Sequence, residues 1–275
     1  KSTMANAPMV ATAIRKLSSK ALPRRMFVYH YRIADRFQVP VVSLALLGDE
    51  SPAWRPDEYV AEQFALMVFS LIGGLLITSY TNLLVLFLGI EVLSIPLYVL
   101  AGGKRDSFRS GEAAFKYFLQ GSFASGFLLL GIALLYGSTA SFDLAAVQAF
   151  ATNAQGNMLF LLGLFLTIAG VAFKVAAVPF HFWSPDVYEG APTLVTAFMS
   201  TVVKTAAFAG FYRLIEHMQL PEAVRTMLVL MTVCTLFLGN IVALRQTQFK
   251  RLMAYSSIAH TGFLLLAFLG GGDRT

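Results

Sequence analysis

Four titratable residues lie inside strongly apolar stretches of this sequence. They are Glu91 in LLVLFLGIEVLSIPLYVL, Lys174 in LFLTIAGVAFKVAAVPF, Lys204 in TLVTAFMSTVVKTAAFAGF, and His260 in the last apolar segment. A charge at mid-bilayer costs roughly 3 to 10 kcal/mol, so the charged residues found there usually handle ions or protons. An imidazole exchanges a proton near neutral pH. These residue types therefore predict proton or ion transfer within a membrane.

The composition predicts the elements that position these residues. Hydrophobic residues make up 57% of the chain and charged residues 13%, with a mean hydropathy of +0.67, whereas a soluble domain carries about 25% charged residues. We therefore expect an all-α, polytopic transmembrane helix bundle. A span needs about 20 mostly apolar residues, which predicts helices over residues 60–79, 82–101, 112–136, 158–178, 191–212, 226–244 and 252–270.

The remaining segments have simpler interpretations. Residues 1–59 form a basic arm or loop that does not span the membrane, and their stretch VPVVSLALL (39–47) is too short to cross it. The first 40 residues have no apolar core of the kind that a secretory signal peptide needs. The single Cys234 has no disulfide partner in the chain and lies in an apolar run, which predicts core packing. The net charge of +6 comes from the arm and the loops, so membrane topology explains it better than nucleic-acid binding.

Loop charges predict the orientation of the bundle. Two loops are rich in basic residues: 102–111, with Lys104, Arg105 and Arg109, and 245–251, with Arg245, Lys250 and Arg251. Such loops face the cytoplasm or matrix. By alternation, the turn at residues 79–81 and the loops 138–157 and 213–225 lie on the opposite side.

One helix is predicted to break at membrane depth. Glu91 and Lys204 lie about 14 and 20 Å along their helices at a rise of ~1.5 Å per residue, which is close to mid-bilayer. The helix of Lys174 instead meets Pro179 and then the polar, aromatic stretch PFHFWSPDVYEGAP. Irregular backbone is tolerated at this depth only where protein or a water-filled cavity satisfies it. A lysine just before such a break is typical of ion-handling transporters.

The same residues also have alternative explanations. Glu91 could form a fixed structural ion pair with a lysine, in a purely structural membrane subunit. His260 could simply be hydrogen-bonded behind Ser256 and Ser257. The glycines of GSFASGFLLLG (Gly121, Gly126 and Gly131) indicate close helix packing. An intramembrane serine protease would pair Ser125 with His260, but Phe123 stands where the first glycine of that nucleophile motif belongs.

Four blocks of the sequence carry a resemblance to a known family. FLGIEVLSIPLYVLAG, SGEAAFKYFLQGSFASGFLLLGIALLYGSTAS, GVAFKVAAVPFHFWSPDVYEGAPTLVTAFMSTVVKTAAF and ALRQTQFKRLMAYSSIAHTGF occur in this order. They resemble the antiporter-like membrane subunits of proton-pumping NADH:quinone oxidoreductase, respiratory complex I. The form PFHFWSPDVYEGAP is most similar to the N-type subunits of that family. The resemblance covers residues 60–270, whereas the family's pattern also includes helices before and after this part.

The resemblance implies a function and its site residues. Glu91 matches the family's intramembrane glutamate, Lys174 the lysine of its broken helix, Lys204 the lysine of the next helix and His260 a histidine further on. It implies proton translocation along this row, with Glu91 tuning Lys174 and Lys204 relaying the proton. NAD, FMN, iron–sulfur clusters and quinone would be bound by other subunits, and this chain would hold no cofactor.

The same resemblance implies where the chain works and with what. Its partners would be other membrane subunits of the complex and the lipid bilayer. Its location would be the bacterial inner membrane in preference to an organellar one. The alternative within transporters is a subunit of a multi-subunit cation/proton antiporter, which shares the lysine and glutamate pattern.

Overall fold

The computed structural model describes residues 61–104, 107–154 and 156–270. Within these ranges the secondary structure is helical, with one isolated β-bridge and no strand. Seven of the described helices are long and apolar enough to cross a membrane, which confirms the expected all-α polytopic bundle. The predicted basic arm, residues 1–59, lies outside the described residues.

The helices are numbered here in chain order: α1 Ala61–Ser79, α2 Leu83–Ala101, α3 Phe108–Thr139, α4 Leu144–Ala151, α5 Met158–Val175, α6 Trp183–Gly190, α7 Thr193–Phe198, a π-helical turn Met199–Val203, α8 Lys204–Ile215, α9 Glu222–Ala243 and α10 Phe249–Gly270. Together α7, the π turn and α8 make one span. Each predicted span has its counterpart. Helix α3 is longer than predicted at both ends, and the short helices α4 and α6 were not predicted.

Polar residues at the helix starts explain several of these bounds. The side chain of Asn82 accepts a hydrogen bond from the Leu84 amide at 2.8 Å, and that of Asn157 accepts one from the Phe160 amide at 3.1 Å. These bonds satisfy amides that have no partner within the first helical turn. The boundaries of α2 and α5 therefore follow from local sequence.

The loops predicted to share one side of the membrane lie together. Asn82 and Asp143 form the β-bridge that joins the α1–α2 turn to the α3–α4 loop. Gln148 in α4 donates to the carbonyl of Arg213 at 3.0 Å, and Arg213 donates to the carbonyl of Tyr80 at 2.6 Å. Three loops assigned to the same side by charge are thus at the same end of the bundle. Which side this end faces stays a prediction.

Helix pairs pack closely where glycine removes a side chain. The main antiparallel contacts are α1 with α2, α3 with α5, and α9 with α10. A Cβ added at Gly131 of α3 would lie 2.5 Å from the amide nitrogen of Thr167 in α5, so only glycine permits this approach. Packing is therefore the role of Gly131, whereas a Cβ at Gly126 would meet nothing within 4 Å. Cys234 is exposed on α9, so the prediction that it packs in the core is wrong.

Candidate functional site

The broken helix ends at Val175, before the proline that signalled the break. Ala176 adopts a left-handed conformation with φ 57°, which stops the α-helical hydrogen-bond ladder. Three side chains from other helices bond the freed backbone: Trp183 donates to the Phe173 carbonyl at 2.9 Å, Thr261 donates to the Val175 carbonyl at 2.8 Å, and Thr235 accepts from the Val178 amide at 2.9 Å. The break is thus satisfied by protein groups, as irregular backbone at membrane depth requires.

Lys174 lies one residue before this helix end and is 4% exposed. Its Nζ donates a hydrogen bond to the Tyr98 hydroxyl at 3.3 Å. Aromatic rings surround the amine, with ring centroids 5.5 Å away for Tyr98, 5.7 Å for Tyr117 and 5.2 Å for Phe173. These rings favour the ammonium, whereas removal from water favours the neutral amine. The aromatic rings and the burial of Lys174 therefore have opposite effects on whether its amine is charged.

Glu91 does not form an ion pair with Lys174 among the described residues. Its carboxylate accepts a hydrogen bond from the Ser125 hydroxyl of α3. Tyr98 follows Glu91 by two turns of α2, so both side chains lie on the same face of that helix. Tyr98, the hydrogen-bond partner of Lys174, therefore lies on the same face of α2 as Glu91.

Lys204 follows the π-helical turn Met199–Val203 directly. π-Helical turns are rare in proteins, and those that occur are frequently at functional sites. The Nζ of Lys204 donates to the carbonyl of Ser257 at 2.6 Å and to its hydroxyl at 2.5 Å, both on α10. No carboxylate lies within 4.0 Å of Lys204 in the part of the chain that the structure describes.

A groove of about 1150 Å³ opens between the span that contains Lys204 and helix α10. Its walls include Lys204, Tyr188, Ser257 and His260 among mainly apolar side chains. His260 is exposed there, and its Nδ1 hydrogen-bonds the carbonyl of Ser256 at 2.8 Å. Lys204 and His260 therefore share one groove, whereas Lys174 is buried at the break and Glu91 is half-buried beside Ser125.

Charged residues hold the short helix α6 between α3 and α10. Asp186 accepts from Lys116 at 2.8 Å and from Arg251 at 2.7 Å, and Glu189 accepts from the same Arg251 at 3.1 Å and from Arg109 at 3.4 Å. Burial acts to raise the pKa of Asp186, but the hydrogen bonds and charges of Lys116 and Arg251 outweigh it. The pKa of this carboxyl lies below its ordinary value.

Trp183, at the start of α6, connects this ionic cluster to the buried lysine. Its ring stacks on Tyr117 with centroids 4.6 Å apart, while its indole nitrogen bonds the Phe173 carbonyl. Tyr117 is one of the rings beside Lys174. The position of α6 therefore fixes one wall of the lysine site.

Sequence reasoning missed the partners of the titratable residues. Tyr98 and Tyr117 lie beside Lys174, and Ser257 bonds Lys204. The only sequence signal for these partners was the position of Tyr98, two helical turns after Glu91. The structure contradicts the protease alternative, because Ser125 bonds Glu91 and His260 bonds a carbonyl of its own helix.

Comparison with known proteins identifies the family of this chain. Residues 81–274 match the family described as NADH:quinone oxidoreductase/Mrp antiporter, transmembrane. The chain belongs to this family. It is 47% identical over 209 residues to the NADH-quinone oxidoreductase subunit N of Cytophaga hutchinsonii, an alignment that covers 75% of this chain and 45% of that protein. The chain thus spans about half the length of the curated relatives it matches.

Two further relatives of this family member agree with that result. Subunit N of Halorhodospira halophila is 41% identical, with 96% of this chain and 57% of that protein covered. The alignment therefore extends into the residues before 61. A chain of respiratory complex I from Thermus thermophilus has 40% identity and a TM-score of 0.68, over 80% of this chain and 47% of that one.

Proposed function

We propose that this chain is a proton-translocating membrane subunit of an NADH:quinone oxidoreductase, and that Glu91, Lys174, Lys204 and His260 carry the protons. Its relatives are named as subunit N of that enzyme. The observation that carries the proposal is a buried lysine, Lys174, at the end of a helix that breaks inside the bundle. A charge in such a place is costly, and residues that place one there usually serve ion or proton transfer.

The proposed reaction is movement of a proton between the two lysines. Lys174 binds a proton when its ammonium is favoured by the aromatic rings and by the negative charge of Glu91, and releases it when desolvation dominates. Lys204 then receives the proton and passes it into the groove that also contains His260. Glu91 acts at a distance, through the field along α2, since Ser125 is its direct partner.

The redox chemistry and the remaining parts of the enzyme belong to other chains in this proposal. NAD, FMN, iron–sulfur clusters and quinone would be bound by other subunits, and this chain would transmit their energy as proton movement. Its partners would be neighbouring membrane subunits and lipid. Since the subunit N relatives from Cytophaga hutchinsonii and Halorhodospira halophila are bacterial, the proposed location is the bacterial plasma membrane.

A cation/proton antiporter subunit is the second candidate, because the matching family includes both kinds of protein. The high identity to relatives named subunit N, over most of this chain, favours the oxidoreductase. Complementation distinguishes the two: the gene would restore NADH-driven proton pumping in the first case and sodium/proton exchange in the second.

The test of the proposal uses the intact complex, assembled with the full-length subunit and reconstituted in vesicles. Lys174→Met, Lys204→Ala and Glu91→Gln are expected to reduce proton pumping per NADH oxidised, while the complex still assembles. Lys104→Gln is the matched control, because this lysine is exposed in a loop. Normal pumping by both Lys174→Met and Lys204→Ala would refute the function.

A double-mutant cycle tests whether Glu91 and Lys174 act together. Groups that interact are non-additive, whereas independent ones add to within about 0.5 kcal/mol. We expect the loss in Glu91→Gln/Lys174→Met to be smaller than the sum of the single losses. Strict additivity would mean that Glu91 does not tune this lysine.

A further inference from the structure

A hydroxyl group bonds each of the two lysines, and neither hydroxyl has an assigned role. The first is Tyr98, which accepts the hydrogen bond of Lys174 at 3.3 Å. The last is Ser257, whose hydroxyl is 2.5 Å from the Nζ of Lys204. A hydroxyl both accepts and donates a hydrogen bond while remaining neutral. Each lysine therefore already contacts a group that is able to pass on a proton.

Two further tyrosines occupy the space between these end points. The rings of Tyr98 and Tyr117 meet edge to face with centroids 4.7 Å apart. Tyr117 and Tyr188 both pack against Trp183, with ring centroids 4.6 and 6.4 Å from that of the indole. Tyr188 in turn lines the groove that also contains Ser257 and Lys204. The side chains thus form a series from Lys174 to Lys204 across helices α2, α3, α6 and α10.

One hydroxyl of this series, that of Tyr117, has no hydrogen-bond partner among the described residues. Among the described residues, the buried side-chain polar atoms without a hydrogen bond are the Tyr117 hydroxyl, the Ser184 hydroxyl and Nδ1 of His181. Buried polar groups are nearly always satisfied, and bound water is the usual partner where protein offers none. His181 and Ser184 belong to the segment that follows the broken helix, and Tyr117 stacks near Phe173 at the end of that helix. Bound water is therefore expected beside the break.

We propose that the hydroxyls of Tyr98, Tyr117, Tyr188 and Ser257, bridged by water at Tyr117, relay protons between Lys174 and Lys204. The inference rests on the proposed function. The Lys174 ammonium gives a proton to the first hydroxyl, each hydroxyl or water accepts one proton and releases its own, and the neutral Lys204 amine gains one. One proton moves in total, and each hydroxyl recovers its donor position by rotation.

The nearest alternative connection is a structural one. The Thr261 hydroxyl lies between the Val175 carbonyl and the Ser257 carbonyl, at 2.8 and 3.1 Å. Carbonyl oxygens accept hydrogen bonds but have no proton to release. Thr261 therefore satisfies a backbone carbonyl of the broken helix. The tyrosine series is the route that reaches a lysine at each end.

The test removes one hydroxyl at a time from the intact complex and keeps each ring. Tyr117→Phe and Tyr188→Phe are expected to slow proton pumping about three- to tenfold, the range that the loss of one hydrogen bond corresponds to. They are also expected to increase the solvent deuterium isotope effect on pumping, which a purely structural defect would leave unchanged. Tyr136→Phe is the control on the same helix as Tyr117, because its side chain is 44% exposed.

The Ser257 position gives a second test that does not depend on a tyrosine. Ser257→Thr keeps the hydroxyl and is expected to pump at nearly the native rate, whereas Ser257→Ala is expected to slow pumping and raise the isotope effect. If Tyr117→Phe, Tyr188→Phe and Ser257→Ala all match the Tyr136→Phe control while Lys204→Ala fails to pump, the relay is wrong and the proposed function stands. Normal pumping by both Lys174→Met and Lys204→Ala would overturn the relay and the proposed function together.

Discussion

Gly121→Ala is predicted to disrupt the lysine site without touching a charged residue. A Cβ at Gly121 of α3 would lie 2.1 Å from the hydroxyl oxygen of Tyr98 and 2.7 Å from its Cζ. Tyr98 is the hydrogen-bond partner of Lys174. The methyl group would therefore push the tyrosine away from the lysine that it contacts.

The size of the effect follows from the geometry. Ordinary contact begins at 3.4 Å, so the hydroxyl would have to move by 3.4 less 2.1 Å, or about 1.3 Å. Its 3.3 Å bond to Lys174 would not survive that shift in most directions. Overpacking costs about 1–3 kcal/mol, and a hydrogen bond to a charged group contributes about 1.5–3 kcal/mol. The gain of about 1 kcal/mol from alanine in a helix does not offset these losses, so we expect a net destabilisation of about 1.5–5 kcal/mol.

The assay compares Gly121→Ala with Gly126→Ala in the assembled complex. The second glycine lies on the same helix, and a Cβ there would meet nothing within 4 Å. We expect Gly121→Ala to lower both thermal stability and proton pumping, and Gly126→Ala to keep pumping and to raise stability by up to about 1 kcal/mol. Equal pumping by the two variants would refute the role assigned to Tyr98.

Three further predictions concern the membrane topology and the contacts that support the lysine site. In a background without the natural cysteine, cysteines at Ser107 and Asn153 are expected to react with an impermeant label from opposite sides of the membrane, and labelling from the same side would remove the topology. Asp186→Asn is expected to lower stability by about 1–2 kcal/mol at neutral pH, because two partly exposed ion pairs are lost. Since the folded pKa of Asp186 is depressed, this contribution is present above about pH 4 and is lost as the pH falls through the folded pKa, so the difference between Asp186→Asn and wild type should vanish in acid. Thr235→Val is expected to destabilise by about 1–3 kcal/mol by leaving a buried amide without its acceptor, whereas Thr232→Val, whose hydroxyl bonds only its own helix, serves as the control. A thermal shift that is equal for the two threonine variants would contradict that assignment.

The broken helix shows what local sequence predicts and what it does not. Pro179 and the polar stretch after it predicted a break because proline cannot continue a helix. The helix nevertheless ends earlier, at Val175, since Ala176 takes a left-handed conformation that non-glycine residues rarely adopt. The side chains that stabilise this end, such as Thr235 and Thr261, come from distant helices. Only the packing of the bundle determines them.

The titratable residues themselves were predictable, because a charge in an apolar segment is conspicuous. Their partners were not, because the sequence did not assign the Ser125 hydroxyl to Glu91 or the Tyr98 hydroxyl to Lys174. Neutral hydroxyls cost less to bury than charges, so they do not stand out in an apolar sequence. The π turn before Lys204 left no signal in the pattern either, since its residues are compatible with an ordinary helix.

The short helix α6 connects the ionic cluster around Asp186 to the site of the buried Lys174. One part of it holds Asp186, which binds Lys116 of α3 and Arg251 of α10. Another part holds Trp183, which stacks on Tyr117 beside the buried lysine. Because α6 is only two turns long, a displacement of Asp186 moves Trp183 with it. The ionic cluster therefore sets the geometry of the lysine site, and Asp186→Asn should disturb pumping as well as stability. If Asp186→Asn lowers the melting temperature while pumping stays native, α6 does not transmit position to Tyr117.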